Sequence, residues 1–525
     1  MTAGPPPDLP PPTGLPAPLP PPPDMVKGEE WQRLSPRMLF VHPVRTAGQL
    51  MVPLLIAFFG FGSRDEGPFS GVGFIVVAAT LVVLLGLVPW FTTYYRIAAG
   101  QLQVRRGLFT KTTLTARLDR VRSVDLESSL LHRLLGLSKV SIGTGVDTAQ
   151  IPLDALTVAQ ARELQDFLLA RAQVTEAPAG LTGEEPGVTA SPGAGADRVG
   201  VELARIDWSW LRFAPFSLSS LVIVAGIGGL VSQFGGQVPV EDVEVVESAW
   251  DWVRAQAVLF LALMLFSAVL VAWLVLSTLN YVVQWWNLRL TRMPEGALRL
   301  QRGLFTTRST TIEEAKVRGV TLRESFLLRL VGGAELVTMS TGVGADGQTK
   351  VLPPSPRQVA VDVGHTIVNE VGPLTVPMTQ HGHYAWLRLQ YRAQVIPAFL
   401  ALGVAAGVVW LDWAWWVLPV TWLVAAGLGV LVAREAYRNL GHGLTEAHLV
   451  SQHGALLRDR EVLERAGIIG WVVSQSILQR RRGLATLVAT TAAGAEAVRI
   501  HDVPYADALA LAGRATPEVF ADVRA

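Results

Sequence analysis

Charged residues are missing from six long stretches of the chain. Residues 46–63 run uncharged between Arg45 and Arg64, and 67–95 between Glu66 and Arg96. Residues 213–240, 255–288, 393–411 and 413–433 repeat the pattern, each with at least 18 residues. About 20 apolar residues at ~1.5 Å rise cross a hydrocarbon core. One charge at the centre of such a helix costs about 2.5–3.5 kcal/mol on the insertion scale, and none of the six holds one. The pattern predicts six transmembrane helices.

The stretches come in pairs. Short connections join the members of a pair: 64–66, 241–254 and Asp412 alone. The second connection is acidic, with Glu241, Asp242, Glu244, Glu247 and Asp251 against Arg254. The opposite flanks are basic, for example Arg33, Arg37 and Arg45, then Arg205 and Arg212, then Arg434 and Arg438. Positive flanks stay in the cytoplasm, which places both termini and every long segment there. Trp90, Tyr94, Tyr95, Trp208, Trp285, Trp286 and Trp413 gather at the span ends, where amphipathic rings favour the headgroup layer.

The segments after the second, fourth and sixth stretches resemble one another. Residues 105–146 read RRGLFTKTTLTARLDRVRSVDLESSLLHRLLGLSKVSIGTGV, and 301–343 read QRGLFTTRSTTIEEAKVRGVTLRESFLLRLVGGAELVTMSTGV. Arg106/Arg302, Gly107/Gly303, Arg122/Arg318, Ser129/Ser325, Arg133/Arg329 and Gly136/Gly332 coincide at a constant offset of 196. A weaker third copy starts at Gly454, with Ser476, Leu478, Arg480 and Gly483 at matching distances. Such self-similarity marks a repeat architecture. Within a copy, residues 102–104 and 298–300 precede a glycine, as a strand before a tight turn does. Threonine-rich runs at 110–115 and 306–311 favour extended backbone. Residues 129–135 suit a helical turn at a corner, and 140–142 and 336–339 suit short strands. The stripe Ala161, Leu164, Phe167, Leu168 predicts a closing amphipathic helix over 157–172. Segments 356–371 and 505–515 hold the same place, so each copy reads as a small antiparallel barrel or sandwich capped by one helix.

Composition agrees with a membrane protein. Of 525 residues, half are hydrophobic and 17% are charged, against about 25% charged in soluble domains; the mean hydropathy is +0.37. The net charge of +1 gives no global pull on nucleic acid. Without a cysteine, disulfides, thiolate metal sites and cysteine nucleophiles are excluded. Residues 1–23 hold twelve prolines and no basic residue. They predict a disordered tail over 1–30 and not a signal peptide.

The run of Gly-Leu-Phe (107–109), Val-Arg-Ser-Val-Asp (121–125) and Ser-x-Leu-Leu-His-Arg-Leu-Leu-Gly-Leu (128–137), with Arg33-Leu34-Ser35-Pro36 before the first span, resembles the YdbS/YdbT-like family of bacterial membrane proteins with pleckstrin-homology-like (PH-like) domains. The second copy departs from the motif at Thr321 and Leu328, and the third has lost most of it. The resemblance implies a multi-pass α-helical membrane protein with six transmembrane helices in three hairpin pairs and three small cytoplasmic α+β PH-like domains. The divisions are a tail (1–30), helix pair one (46–95), domain one (96–173), a flexible linker (174–205), helix pair two (206–286), domain two (287–372), helix pair three (393–433) and a divergent domain three (434–518). It also implies the bacterial plasma membrane and a binding or scaffolding role, with membrane lipids and a membrane or cytoplasmic protein as partners and no reaction.

Motifs for chemistry are scarce. There is no G-x-S-x-G, H-E-x-x-H or G-x-x-x-x-G-K-[ST]. The run 107–112 (GLFTKT) imitates a phosphate loop with the wrong spacing. No catalytic residue, metal or cofactor is expected. His381, His383, His442, His448 and His453 lie near the ends of spans five and six and suit an interface or a pH-sensitive contact. With only five lysines, nearly every base is arginine. The candidate lipid or partner contacts are Arg105, Arg106, Arg122, Arg302, Arg318, Arg480, Arg481 and Arg482, since each base near an anionic leaflet contributes about 1 kcal/mol. The recurring Ser129/Ser325/Ser476 and Arg133/Arg329/Arg480 point to a shared structural bond. Handling of lipid or another amphiphile between the helix pairs is the alternative role; the spans lack the buried ionisable groups that transporters carry.

Overall fold

The computed structural model describes residues 31–50 apart from 34, 40, 45, 48 and 49, then 71–98, 101–107, 111–117, 123–143, 151–165, 200–217, 249–294, 296–341 and 347–518. Contacts divide the chain into two units, residues 1–144 with 150–194, and residues 145–149 with 195–525. The proline-rich tail, most of the first and third spans, the acidic connection up to residue 248, and linker residues 174–199 lie outside the described residues.

In the first unit, helix α1 (Gly71–Thr92) runs 22 residues without a charge through the second predicted span. The chain then turns directly into an antiparallel sheet. Its strands are β1 (Gln32–Arg33), β2 (Tyr94–Ala98), β3 (Gln101–Arg106) and β4 (Thr112–Arg117), in that order across the sheet. A second meander follows: β5 (Ser123–Ser128), the corner helix α2 (Leu130–Leu134), β6 (Leu137–Gly143) and β7 (Ile151–Thr157). Residues 158–165 begin the expected closing helix. Leu102 and Val104 from one sheet, Val124, Val140 and Ile142 from the other, and Ala161 and Leu164 from the helix form one core.

The second unit holds the other two copies. Copy two starts with β8 (Val201–Arg205), which pairs with β9 (Arg289–Met293). The linker expected over 174–205 therefore ends by Val201. The glycine- and proline-rich run before it masks a five-residue strand whose Ala204 is buried. Residues Trp208–Phe216 then form a 3-10 helix, capped by Asp207 accepting from Ser209 N–H at 2.8 Å. Its Trp210, Phe213 and Ala214 are buried in the domain core. The uncharged stretch that opens at residue 213 thus begins as domain core, because its first apolar side chains face a sheet. Helix α3 (Ala249–Trp285) leads into β9, β10 (Ala297–Arg302) and β11 (Thr307–Glu313), then β12 (Val317–Ser325), corner helix α4 (Phe326–Leu330), β13 (Gly333–Ser340), β14 (Gln348–Pro356) and closing helix α5 (Arg357–Val368).

Copy three follows helices α6 (Gly382–Ala393), α7 (Val395–Trp410) and α8 (Val417–Arg438). It consists of β15 (Gly441–Leu444), β16 (His448–His453), β17 (Leu457–Glu464), β18 (Gly470–Ser474), corner helix α9 (Ile477–Arg481), β19 (Leu484–Thr490), β20 (Ala497–Pro504) and α10 (Tyr505–Ala515). Among the described residues, three segments are long and apolar enough to cross a membrane: Phe266–Trp285, Gly382–Trp410 and Val417–Arg438. These fall in the fourth, fifth and sixth of the six predicted spans.

The two copies share a sheet. β12 pairs antiparallel with β17 from Gly319↔Leu463 to Ser325↔Leu457, giving the strand order β14-β13-β12-β17-β16-β15. Val320, Leu322 and Val462 are fully buried in this seam. Ion pairs Arg318–Glu464 (2.9 Å), Arg323–Asp459 (3.1 Å) and Arg458–Glu324 (2.6 Å) cross it. The remaining sheet of copy three is β18-β19-β20.

The recurring residues set the corners. Ser129, Ser325 and Ser476 cap α2, α4 and α9, each accepting from the N–H three residues on. Gly136, Gly332 and Gly483 leave those helices at φ of +67°, +72° and +65°. The hairpin glycine is more demanding. A Cβ on Gly303 would lie 2.0 Å from the Thr306 carbonyl oxygen, so only glycine fits this left-handed position.

Candidate functional site

Helix α1 delivers the chain to β2 with one residue between them, so the end of this apolar helix and the edge of the first domain meet. Gln32 and Arg33 return alongside as β1, with Arg33 opposite Tyr94. On the other side Tyr94 faces Arg105 of β3. Gly107, at φ +116°, turns β3 toward β4 and brings Lys111 back to the same end. The result is a recess of about 390 Å³ lined by Trp31, Phe91, Thr92, Tyr94, Arg105, Gly107 and Lys111. Among the described residues, no carboxylate lines it. The Arg96 guanidinium sits 4.6 Å over the Trp31 ring and donates from Nε to Gln103 Oε1 at 2.8 Å. The Arg33 guanidinium lies 5.3 Å from the Tyr94 ring centre. These contacts fix the aromatic walls through cation–π attraction. Arg105 and Lys111 remain exposed. Two cations above aromatic walls, with Phe91 of the helix exposed below, suit an anionic group attached to an apolar body.

The other candidate arginines go elsewhere. Arg106 is exposed at the end of β3. Its counterpart Arg302 is half-buried with its guanidinium 4.1 Å from the Trp285 ring. Burial and nearby Arg308 lower its pKa to about 10. Arg318 is held by Glu464 in the seam. Arg480 and Arg481 are exposed on α9, and Arg482 stacks 4.9 Å from the Tyr391 ring of α6. Arg122 lies outside the described residues. Of the seven described, Arg105 alone lines the recess. Trp31 and Lys111 were not legible as partners: Trp31 stands far from Arg105 in sequence, and Lys111 sits in the phosphate-loop imitation.

The segment before the first, third and fifth predicted spans grips a corner in each copy. Arg37 donates to the Leu135 carbonyl at 3.0 Å. Ser325 Oγ donates to the Phe216 carbonyl at 2.9 Å. In copy three the grip is the Arg482–Tyr391 stack. Recurring Arg329 donates to Glu435 of α8 at 2.7 Å and to the Ala455 carbonyl at 2.6 Å. On their open faces the corners show Leu134, Leu330 and Ile477 at 81%, 69% and 77% exposure. Leucine and isoleucine so exposed make an apolar surface beside those segments.

A second cleft, about 490 Å³, lies along the seam and includes Glu314, Arg318, Glu370, His448 and Glu464. Most of its polar side chains are paired: Arg318 with Glu464, His448 with Glu370, and Glu314 with Arg292. The histidines do not converge on one point. His381 Nε2 meets His442 Nδ1 at 3.0 Å, and His453 packs on His501. Among the described residues, no three His, Asp or Glu side chains are grouped to hold a metal ion.

The three sheet-and-helix units coincide with a known domain. The bacterial PH domain family matches residues 51–172, 255–363 and 392–515. The chain belongs to the bacterial PH domain family. It is also 21% identical over 322 residues to the UPF0699 transmembrane protein YdbT of Bacillus subtilis (strain 168), as the sequence resemblance implied. That match covers 60% of this chain and 64% of the relative. No solved structure matches. The chain is a membrane protein built from repeated bacterial PH domains; neither the family description nor the relative's name denotes an enzyme.

Proposed function

We propose that this chain is a membrane-anchored binding module of the bacterial plasma membrane. It holds its PH domains at the cytoplasmic surface and takes an anionic lipid headgroup in the recess at the end of α1. The recess lined by Arg105, Lys111, Trp31 and Tyr94 carries this reading. It joins positive charge to the place where a span leaves the bilayer. Such placement makes the lipid both an anchor and a signal for the first domain. A scaffold role for protein partners is compatible with it, since several modules on one anchor raise the effective concentration for a second contact.

Purified full-length protein in nanodiscs of phosphatidylglycerol against phosphatidylcholine tests the reading by native mass spectrometry of retained lipid. Two bases near an anionic leaflet contribute about 1 kcal/mol each, so removing both costs about 30-fold in affinity. Arg105→Gln with Lys111→Gln is expected to lose retained phosphatidylglycerol by that order, while Arg480→Gln with Arg481→Gln leaves it unchanged. Equal retention in both double variants would overturn the headgroup site. Orientation has its own test: a phosphatase active only in the periplasm, fused after Ala525, is expected to be inactive.

A further inference from the structure

The repeat contains an unfilled junction. Within the chain, β12 of copy two receives β17 of copy three. The residue spacing makes β18 the counterpart of β12: Ser325 and Ser476 both cap the corner helix that follows, and Gly319 corresponds to Gly470. β18 lies at the edge of its sheet, and among the described residues it has no neighbour but β19. The counterpart of β17 in copy one is β4, which follows the same left-handed glycine (Gly107, Gly454) and is likewise the outer strand of its sheet.

The two edges are fit to pair. β18 carries no proline, lysine or other charge, the devices that usually protect an edge. Thr321 is 2% exposed in the filled junction, whereas its counterpart Val472 is 50% exposed. Ile469 beside it is also exposed. β4 offers Thr112, Thr113 and Thr115, β-branched and exposed. We infer that β18 of one chain pairs antiparallel with β4 of a second copy in the same membrane, extending the sheet as β12 and β17 do within the chain. Carrying the seam's register across gives Gly470↔Ala116, Trp471↔Thr115, Val472↔Leu114, Val473↔Thr113 and Ser474↔Thr112. The charged partners of the internal seam are replaced: Arg323–Asp459 by Ser474–Thr112, and Glu324–Arg458 by Gln475–Lys111. The contact between copies therefore relies on backbone hydrogen bonds and apolar side chains and is weaker than the seam. It joins unlike edges, so it propagates into a ring or a linear array.

The absence of native cysteine makes the test direct. Leu114→Cys and Val472→Cys are placed on two differently tagged full-length chains, co-expressed in one membrane and oxidised. The expected product is a disulfide dimer carrying both tags, absent when either variant is paired with the unmodified chain. Ser474→Cys is expected to couple to Thr112→Cys and not to Thr115→Cys, which fixes the register. Val472→Lys, on an exposed edge, is expected to abolish higher species on size analysis while leaving the far-ultraviolet spectrum intact. A chain carrying both cysteines that closes only on itself, or no mixed-tag dimer from well-expressed variants, overturns the inference.

Discussion

Glu324 tests the seam most sharply. Its side chain is 3% exposed and bonded to two arginines, Arg357 at 3.0 Å and Arg458 at 2.6 Å. Arg458 comes from the other copy, so Glu324 ties the two domains together. Removing one partner of a buried ion pair costs about 3–5 kcal/mol, because the remaining charge stays buried without compensation. Arg357 and Arg458 are 41% and 24% exposed and keep access to water once Glu324 is gone, so Glu324→Ala falls below that range, at about 1.5–3 kcal/mol. Arg318→Ala removes a pair whose side chains are 38% and 35% exposed, and such surface pairs contribute about 0–1 kcal/mol. Hydrogen exchange of the β17 amides in the full-length protein reads the difference. Glu324→Ala is expected to speed exchange over residues 457–463 by about one to two decades, and Arg318→Ala by less than one. Equal, small effects from both would refute the claim that a buried charge network holds the copies together.

Three more outcomes follow from geometry. Gly454→Ala places a Cβ 1.7 Å from the Leu457 carbonyl oxygen at φ +106°, whereas Gly483→Ala at φ +65° meets nothing within 4 Å. The first should lower the thermal midpoint of domain three well beyond the second, whose cost is about 1–2 kcal/mol from the left-handed backbone alone. Burial lowers the His381 pKa to about 4, with neighbouring His442 adding to the effect. The unfolded chain therefore binds the extra proton first as pH falls. The stabilisation, of the order of 3 kcal/mol, is full above about pH 6.5 and is lost as pH falls toward 4; His381→Gln should flatten that slope in denaturant titrations. Glu461 has the opposite sign. Burial and Asp459 raise it to about 7, so its contribution is full below about pH 4.5 and fades as pH rises to 7, and Glu461→Gln should gain on the parent over that window.

Much of each domain could be read from sequence because the signals are local. A glycine at the hairpin, threonines in the strand after it and a serine before the corner helix each act over a few residues. The amphipathic closing helix is equally local, and Tyr505–Ala515 folds as its spacing predicts. What stayed hidden is long-range. Alternation along β12 is loose because Gly319, Val320, Thr321 and Leu322 are all covered, and such a pattern does not name the strand that covers it. Charges at Arg318, Arg323 and Glu324 opposite Glu464, Asp459 and Arg458 were the available clue to the pairing. The recess was half legible: Arg105 stood out as a base and Tyr94 as an interface ring, but Trp31 and Lys111 join them only through the fold.

The shared sheet also sets an order of events in time. β12 is complete once Ser325 is made, but its partner begins at Leu457, roughly 130 residues later, with the third pair of predicted spans in between. At about 5–20 residues per second the wait is on the order of 10 s. Throughout it Val320 and Leu322 sit on a strand with one side empty. Domain two thus leaves the ribosome unfinished and is completed only after the helices α6, α7 and α8 between its two parts have been made. Delay in inserting that last pair prolongs the interval in which two nascent chains on neighbouring ribosomes can join wrongly.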